Sequence, residues 1–205
     1  IYNFEGTANI AIGLKALFSN TTGAYNVAIG DHALYANSSG VLNTSIGYQS
    51  LKSNTTGYYN TAISNNSLSS NTSGHENTAV GTYSLFINTT GSNNTTMGTG
   101  SLFGNTTGSP NVAMGVSTLY NNSINSNLVA IGDSALYNNG TGGSSNIDGA
   151  ANVAVGSKAL FTNNLGNSNT AVGYHALYYN SLGNNNIALG YKAGENVTLG
   201  ANNII

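Results

Sequence analysis

The segment NTAVGYHALYYNSLGNN, from Asn169 to Asn185, is one copy of a 17-residue unit that fills almost the whole chain. The units keep one spacing until seven extra residues intervene within the eighth, and nearly all of them open with asparagine. The opening residues are Asn9, Asn26, Asn43, Asn60, Asn77, Asn94, Asn111, Leu128, Asn152, Asn169 and Asn186, and a twelfth unit starts at Asn203. A fixed period of this kind predicts a solenoid in which each repeat forms one coil.

The phase of the repeat divides the chain into four parts. Residues 1–8 lead into the array, and residues 9–142 form the first eight coils. Residues 143–151 form an inserted loop, and residues 152–205 form coils nine to eleven and the start of a twelfth. The array begins almost at residue 1 and stops within a unit. Because open terminal coils would present unpaired strand edges, we expect the array to continue, to meet another domain or to join a second copy end to end.

Two stretches of each unit have the residue pattern of short β-strands, one near NTAVG and one near ALYYN. Glycine at this density disfavours helix, and turn residues separate the two stretches. Each strand would lie about 4.8 Å above its copy in the preceding coil, so eleven coils would form a rod on the order of 50 Å long. The predicted fold is all-β: a parallel β-solenoid of about eleven coils with two short strands per coil.

Each place in the unit also has its own predicted role. The third place (small), the fourth place (aliphatic) and the ninth place (leucine) are predicted to form the core, while glycines at the fifth and fifteenth places turn the corners with positive φ. Asparagines at the first and twelfth places are predicted to bond to their copies above and below. Representative members of these structural columns are Asn26, Asn43, Asn60, Asn77 and Asn94, the glycines Gly30, Gly47 and Gly81, and the leucines Leu34, Leu51 and Leu85.

The tenth place carries an aromatic column. Its members are Phe18, Tyr35, Phe86, Phe103, Tyr120, Tyr137, Phe161 and Tyr178, and Lys52, Ser69 and Glu195 interrupt it. One coil of 17 residues encloses only about two or three side chains, so a single roll is expected to be marginally stable. The aromatic column is therefore the predicted seam between chains, and three-fold assembly around a common axis would bury it.

Composition argues against several functional classes. The chain has 4 Lys+Arg residues against 6 Asp+Glu and a formal net charge of −2, which offers no basic surface for nucleic acid or an anionic membrane. It has no cysteine, and its three histidines are isolated, so we expect no metal site and no cofactor. Asp31, Asp133 and Asp148 lie far apart in the array, which argues against an acid/base pair and against an enzyme. Only the loop at Asp148 is a minor candidate for an ion or ligand site. No apolar run of residues is long enough to span a bilayer.

The turns hold two further patterns. Asn20, Asn37, Asn54, Asn88 and Asn105 each begin an Asn-Thr-Thr or Asn-Ser-Ser segment, which matches the N-glycosylation acceptor pattern. Turn formation explains the same recurrence more simply. The segments also align threonines into a column, which is a minor candidate for ice binding. Its members are Thr21, Thr55, Thr72, Thr89 and Thr106.

The segments NVAIGDHAL (26–34), NTAVGYHAL (169–177) and NIALGYKAG (186–194) resemble the head repeats of trimeric autotransporter adhesins. They also resemble the Asn-Thr-Ala-Ile-Gly arrays of phage and viral tail fibres. The adhesin resemblance implies a left-handed parallel β-roll with three chains side by side. The 17-residue period is longer than the adhesin head repeat, and the matched positions are scaffold positions that carry no ligand-binding residue.

The resulting functional hypothesis is an extracellular fibrous protein on a cell or virion surface. It would be an adhesin head or a tail-fibre shaft that presents a binding surface, with itself and a host glycan or matrix protein as partners. The variable sixth and seventh places of the unit would provide that surface. The alternative is a structural filament subunit or spacer without a ligand of its own.

Overall fold

A computed structural model of the chain describes residues 6–141, 145 and 148–205. The first part of the predicted lead-in and most of the central inserted loop lie outside these residues. The described residues form eleven short strands: β1 (Ile10–Ile12), β2 (Val27–Ile29), β3 (Thr44–Ile46), β4 (Thr61–Ile63), β5 (Thr78–Val80), β6 (Thr95–Met97), β7 (Asn111–Met114), β8 (Leu128–Ile131), β9 (Val153–Val155), β10 (Thr170–Val172) and β11 (Ile187–Leu189).

All eleven strands belong to one parallel sheet in which they follow one another in sequence order. The register repeats with the unit, so that Ala11 pairs with Ala28 and Ala28 with Ser45. The seven extra residues do not shift it, because Ala130 pairs with Ala154. The prediction of a parallel β-solenoid is confirmed.

The prediction of a second strand in each coil is wrong, because the stretch near ALYYN forms consecutive turns. In the second coil, His32 has a φ of 56° and Leu34 a φ of 51°, both in the left-handed region, whereas a strand needs extended backbone. The turns still bond along the stack, since Leu34 N donates to Ser50 O at 3.0 Å. These bonds to the next coil hold leucine in a conformation that its residue type disfavours.

The core is formed by a partly different set of places than the sequence predicted. It consists of the small residues at the third and eighth places and the leucines at the ninth, including Leu34, Leu51 and Leu85, which are fully buried. The fourth place was predicted to be core, and this is wrong: Ile12 is 58% exposed and Met97 53%. Because side chains alternate along a strand, the buried third place forces the second and fourth places outward.

Glycine is required at the fifth and the fifteenth places of the unit for different physical reasons. At the fifth place the glycines have φ between 124° and 137°, as predicted, and Gly30, Gly47 and Gly81 are among them. The described glycines at the fifteenth place, from Gly23 to Gly108 and from Gly166 to Gly200, do not have positive φ, so that prediction is wrong for them. There a Cβ, for example on Gly57, would overlap the Oδ1 atom of Asn54 and the carbonyl oxygen of Gly74. The fifteenth place is glycine because the neighbouring asparagine and the next coil leave no room.

Ser64 occupies a fifth place and has a φ of 110°, which strains a residue with a Cβ. We expect Ser64→Gly to stabilise the chain by about 1 kcal/mol and to raise Tm by about 2–4 °C, even though the contact between Ser64 Oγ and Thr82 Oγ1 (3.1 Å) is lost. Ser64→Ala is the matched control, since it removes the hydroxyl and keeps the strain. Thermal unfolding followed by circular dichroism measures the Tm of both variants. If Ser64→Gly is no more stable than Ser64→Ala, the backbone at Ser64 is not strained.

Candidate functional site: the outer surfaces of the solenoid

The asparagines at the first place form a buried hydrogen-bonded column. Asn60 is typical: its backbone N–H and its Nδ2 donate to Asn43 Oδ1 at 3.0 and 3.1 Å, and its Nδ2 also donates to Gly74 O at 2.9 Å. Asn26, Asn43, Asn77 and Asn94 are equally buried in the same column. The Nδ2 donors of these residues are bonded within the solenoid, and of the side-chain oxygens named here only Asn94 Oδ1 has no partner among the described residues, so the column stabilises the stack and is closed to solvent.

The asparagines at the twelfth place form a second buried column. Asn54 Nδ2 donates to Asn37 Oδ1 at 2.9 Å and to Gly57 O at 3.0 Å. The asparagines that begin the Asn-Thr-Thr and Asn-Ser-Ser segments belong to this column and are fully buried. In the folded chain these asparagines are turn residues and are inaccessible to modification.

The outward side of the sheet, which we call the outer sheet face, is a regular and largely apolar surface that runs along all the described coils. It consists of two parallel columns, one from the second place and one from the fourth place of every coil. The second-place column is Ile10, Val27, Thr44, Thr61, Thr78, Thr95, Val112, Val129, Val153, Thr170 and Ile187, and the fourth-place column is Ile12, Ile29, Ile46, Ile63, Val80, Met97, Met114, Ile131, Val155, Val172 and Leu189. None of these side chains is charged. A shallow apolar groove of about 190 Å³ adjoins this face at Pro110, Val112 and Val129.

The aromatic side chains of the tenth place stack on one another within the chain. Phe103 and Tyr120 have ring centroids 4.8 Å apart and an interplanar angle of 4°, and Phe161 and Tyr178 have values of 5.1 Å and 4°. Phe18 and Tyr35 form a separate stacked pair at 5.5 Å. All the predicted seam residues are half-buried. Much of each ring face is therefore covered by the next coil, and a role between chains stays a prediction for this column.

Threonine hydroxyls in the turns are hydrogen-bonded within the chain, whereas several of those on the outer sheet face are not. In the turn column, Thr55 Oγ1 donates to Thr72 O at 3.0 Å and Thr72 Oγ1 donates to Thr89 O at 3.0 Å. On the outer sheet face, the hydroxyls of Thr44, Thr61 and Thr78 make no hydrogen bond to any residue that the structure describes. The free hydroxyl groups are thus on the sheet, and the hydroxyls of the turn column that was considered for ice binding are already bonded.

The titratable groups form one small cluster, near the end of the array. His175 Nδ1 donates to Glu195 Oε1 at 3.0 Å, and Lys192 Nζ lies 3.3 Å from Glu195 Oε2. The hydrogen bond from His175 is the main reason that the pKa of Glu195 lies below its usual value, and Glu195 in turn raises the pKa of Lys192. Within the described ranges no three His, Cys, Asp or Glu side chains are grouped so as to hold a metal ion. The cluster joins His175 of the tenth coil to the Lys192–Glu195 ion pair of the eleventh.

The remaining acidic and histidine candidates stay apart. Asp31 contacts His32 next to it in sequence, and His75 stacks on Tyr58. Asp148 accepts a hydrogen bond from Ser145 N at 3.3 Å, but most of the loop around it lies outside the described residues. The described part of the chain contains no helix that is long and apolar enough to cross a membrane.

No family model, no curated protein and no solved structure matches this chain. Its function has to be inferred from the chemistry of its own surfaces. The sequence analysis did not predict the outer sheet face. The signal for it was present: the second place is aliphatic or threonine, the third is small and the fourth is aliphatic or methionine. That signal was misassigned because the fourth place was taken as buried.

Proposed function

We propose that this chain is a segment of an extracellular fibre, an adhesin head or a tail-fibre shaft, in which copies associate side by side through the outer sheet face. The observation that carries the proposal is an uncharged, largely aliphatic face that runs along all eleven coils with its side chains half-buried to exposed. The resemblance of the repeat to adhesin and tail-fibre arrays agrees with it, and that resemblance suggests three chains in each assembly.

The size of the outer sheet face supports association. A face about 50 Å long and two side-chain columns wide has an area on the order of 500 Å². An apolar patch of this size lies in the upper part of the range for the largest patch on a soluble monomer, and such patches are often functional. At about 25 cal/mol per Å², burying such an area contributes on the order of 10 kcal/mol per copy before the costs of association. Because the face carries no charge, a second copy can cover it without desolvating an ion.

The sixth and seventh places supply the surface that remains open in such an assembly. They follow the glycine corner and so lie beyond the edge of the sheet, and they include the exposed residues Tyr48, Tyr83, Tyr174 and Tyr191. Tyrosines of this kind suit contacts with a glycan or a matrix protein. A spacer without a ligand has the same architecture. A screen of the assembled protein against glycans and matrix proteins separates the two, because only the adhesin binds.

Ice binding is a weaker candidate. The hydroxyls of the turn threonines are bonded within the solenoid, and the fourth-place column contains the flexible side chains of Met97 and Met114, which break the flatness that an ice-binding face needs. A thermal-hysteresis measurement on the assembled protein checks it, and we expect none.

Charge placed on the outer sheet face should prevent association. We expect the parent chain to have the mass of three chains in multi-angle light scattering and the double variant Ile46→Lys/Ile63→Lys to have the mass of one, because two lysines per copy would be buried without partners. Ile46 and Ile63 are 36% and 37% exposed, so the monomer tolerates the change. Thr56→Lys, on an exposed turn, is the control and should keep the parent mass. A parent chain that is monomeric throughout its working concentration range would end the proposal.

A further inference from the structure

We infer that coils nine to eleven bind an acidic polysaccharide, a chain of β-1,4-linked uronic acid residues that lies along the axis of the solenoid. The site is formed by Lys158, His175 and Lys192, which we call the basic column, and by Tyr174 and Tyr191 beside them. The inference rests on the adhesin function proposed above and names its ligand class, but it does not require copies to associate. Its starting point is the distribution of the few basic residues.

Basic side chains concentrate at one place of the unit. Of the 4 lysines and 3 histidines, five stand at the seventh place: Lys15, His32, Lys158, His175 and Lys192. A lysine that served only for solubility could stand at any exposed place, but the exposed turns carry mainly threonine, serine and asparagine. Coils nine to eleven hold three of the five in consecutive coils. This is where the chain places positive charge side by side along the stack.

The aromatic rings at the basic column form one stack. Tyr174 stacks on His175 with ring centroids 4.0 Å apart and on Tyr191 with centroids 5.6 Å apart. His175 also stacks on Tyr178 at 4.5 Å. Tyr174 is still 44% exposed, and its hydroxyl makes no hydrogen bond to a described residue. The stack therefore holds a free phenol hydroxyl in a fixed position between the two lysines.

The outermost charges of the site are positive. Lys158 Nζ forms no ion pair with any described residue, and the exposed Asp133 in the eighth coil bounds the column on that side. Lys192 lies 3.3 Å from Glu195, but its side chain is 41% exposed against 21% for that of Glu195. Glu195 also accepts a hydrogen bond from His175. Since Glu195 lies beneath its two donors, a ligand at the surface meets an ammonium group first.

The spacing of the two lysines fits one kind of acidic polymer. Lys158 and Lys192 are two coils apart, so their Cα atoms are about 9.6 Å apart along the axis. In an extended β-1,4-linked sugar chain successive residues face opposite ways, so carboxylates two residues apart lie on the same side, and two residues advance by a similar distance. Such a chain sets one carboxylate on each lysine. The residue between them turns its carboxylate away from His175, whose Nδ1 is already bonded to Glu195.

Tyrosine hydroxyls supply the contacts to the sugar rings. Tyr174 and Tyr191 stand at the sixth place, next to the basic column, and a phenol hydroxyl can both donate to and accept from sugar hydroxyls. A neutral sugar chain would gain these contacts alone. Binding should therefore depend on the carboxylates of the ligand and weaken as the salt concentration rises.

Isothermal titration calorimetry tests the site with a β-1,4-linked mannuronate hexamer and, as its neutral counterpart, a β-1,4-linked mannose hexamer. We expect the acidic hexamer to bind at least about tenfold more tightly. A mannuronate trimer reaches both lysines and a dimer reaches only one, so the trimer should exceed the dimer by a similar factor. Equal binding of the acidic and neutral hexamers, or no binding of the acidic one, would overturn the inference.

The two lysines are tested against a control of equal charge. Lys158→Gln/Lys192→Gln should weaken binding of the mannuronate hexamer at least about tenfold. Lys15→Gln/Lys52→Gln removes the same charge outside the basic column and should keep the affinity. Thermal unfolding followed by circular dichroism shows that both double variants are folded. If both lose affinity equally, the ligand responds to net charge and the basic column is not its site.

The outcomes also separate this inference from the proposed function. If the mannuronate hexamer does not bind but another glycan in the screen does, the adhesin function stands and the basic column is not its binding site. If the hexamer binds a chain that light scattering shows to be monomeric, the site stands and the side-by-side assembly is wrong.

Discussion

Gly81→Ala is expected to unfold the middle of the array at a much lower temperature than the parent chain. Gly81 has a φ of 131°, and a Cβ at this position would lie 2.6 Å from the carbonyl oxygen of Gly98 and 2.7 Å from its carbonyl carbon. Both atoms belong to backbone that is held by the sheet. The strain and the overlap together should destabilise the chain by about 3 kcal/mol. Urea unfolding followed by circular dichroism measures the loss.

Gly190→Ala is the matched control for this prediction. Gly190 has nearly the same φ, 132°, but no atom lies within 4 Å of the position that a Cβ would take. It should therefore show the backbone strain alone, about 1 kcal/mol. Ser64 shows how the backbone adapts to a side chain at this place, since its φ falls to 110°. If Gly81→Ala and Gly190→Ala lose the same stability, contact with the next coil is not the reason for glycine.

Asn60→Ala is expected to cause the second large loss of stability, also about 3 kcal/mol. The change removes the Asn60 Nδ2 group that donates to Gly74 O. It also removes Asn60 Oδ1, which accepts a hydrogen bond from the backbone N–H of Asn77 at 3.1 Å. It leaves that N–H buried without a partner and opens a cavity in the column. Thermal unfolding gives the magnitude, and amide hydrogen exchange at Asn77 should show the lost protection directly.

Asn121→Ala is the control for the column. Asn121 is exposed, and its Nδ2 donates to Asn138 Oδ1 at 2.9 Å, so the same kind of amide ladder is removed in water. We expect a change within about 0.5 kcal/mol. A loss of stability in Asn121→Ala as large as in Asn60→Ala would mean that burial is not what makes the ladder strong.

Both large effects follow from the one-dimensional build of the molecule. Each coil contacts only its neighbours, so a defect in a central coil weakens two interfaces and divides the array into two shorter ones. Hydrogen exchange should therefore show the opening at coils four to six in both variants before the ends of the array are affected. The same stiffness suits a fibre segment, whose length is fixed by its number of coils.

Much of the scaffold was predictable because it repeats. The 17-residue period alone predicted parallel stacking in sequence order, since equal spacing brings each strand over its copy. The buried Leu34 column and the positive φ at Gly30 also followed from residue type and recurrence. Seven extra residues before Asn152 were identified as an insertion because the phase resumes after them, and the unchanged register of Ala130 with Ala154 agrees.

Only the tertiary structure decided which side chains face outward and which backbone is extended. Residue preference did not predict left-handed φ for Leu34, because bonds to the next coil are what hold it there. The aliphatic fourth place looked like core, but of the three strand residues only the small third place points into the coil, and alternation puts Ile46 on the surface. Glycine at Gly57 serves close packing against Asn54 and needs no unusual φ. The sequence by itself determined the repeat and its stacking, whereas the volume inside one coil determined which residues are left exposed for a partner.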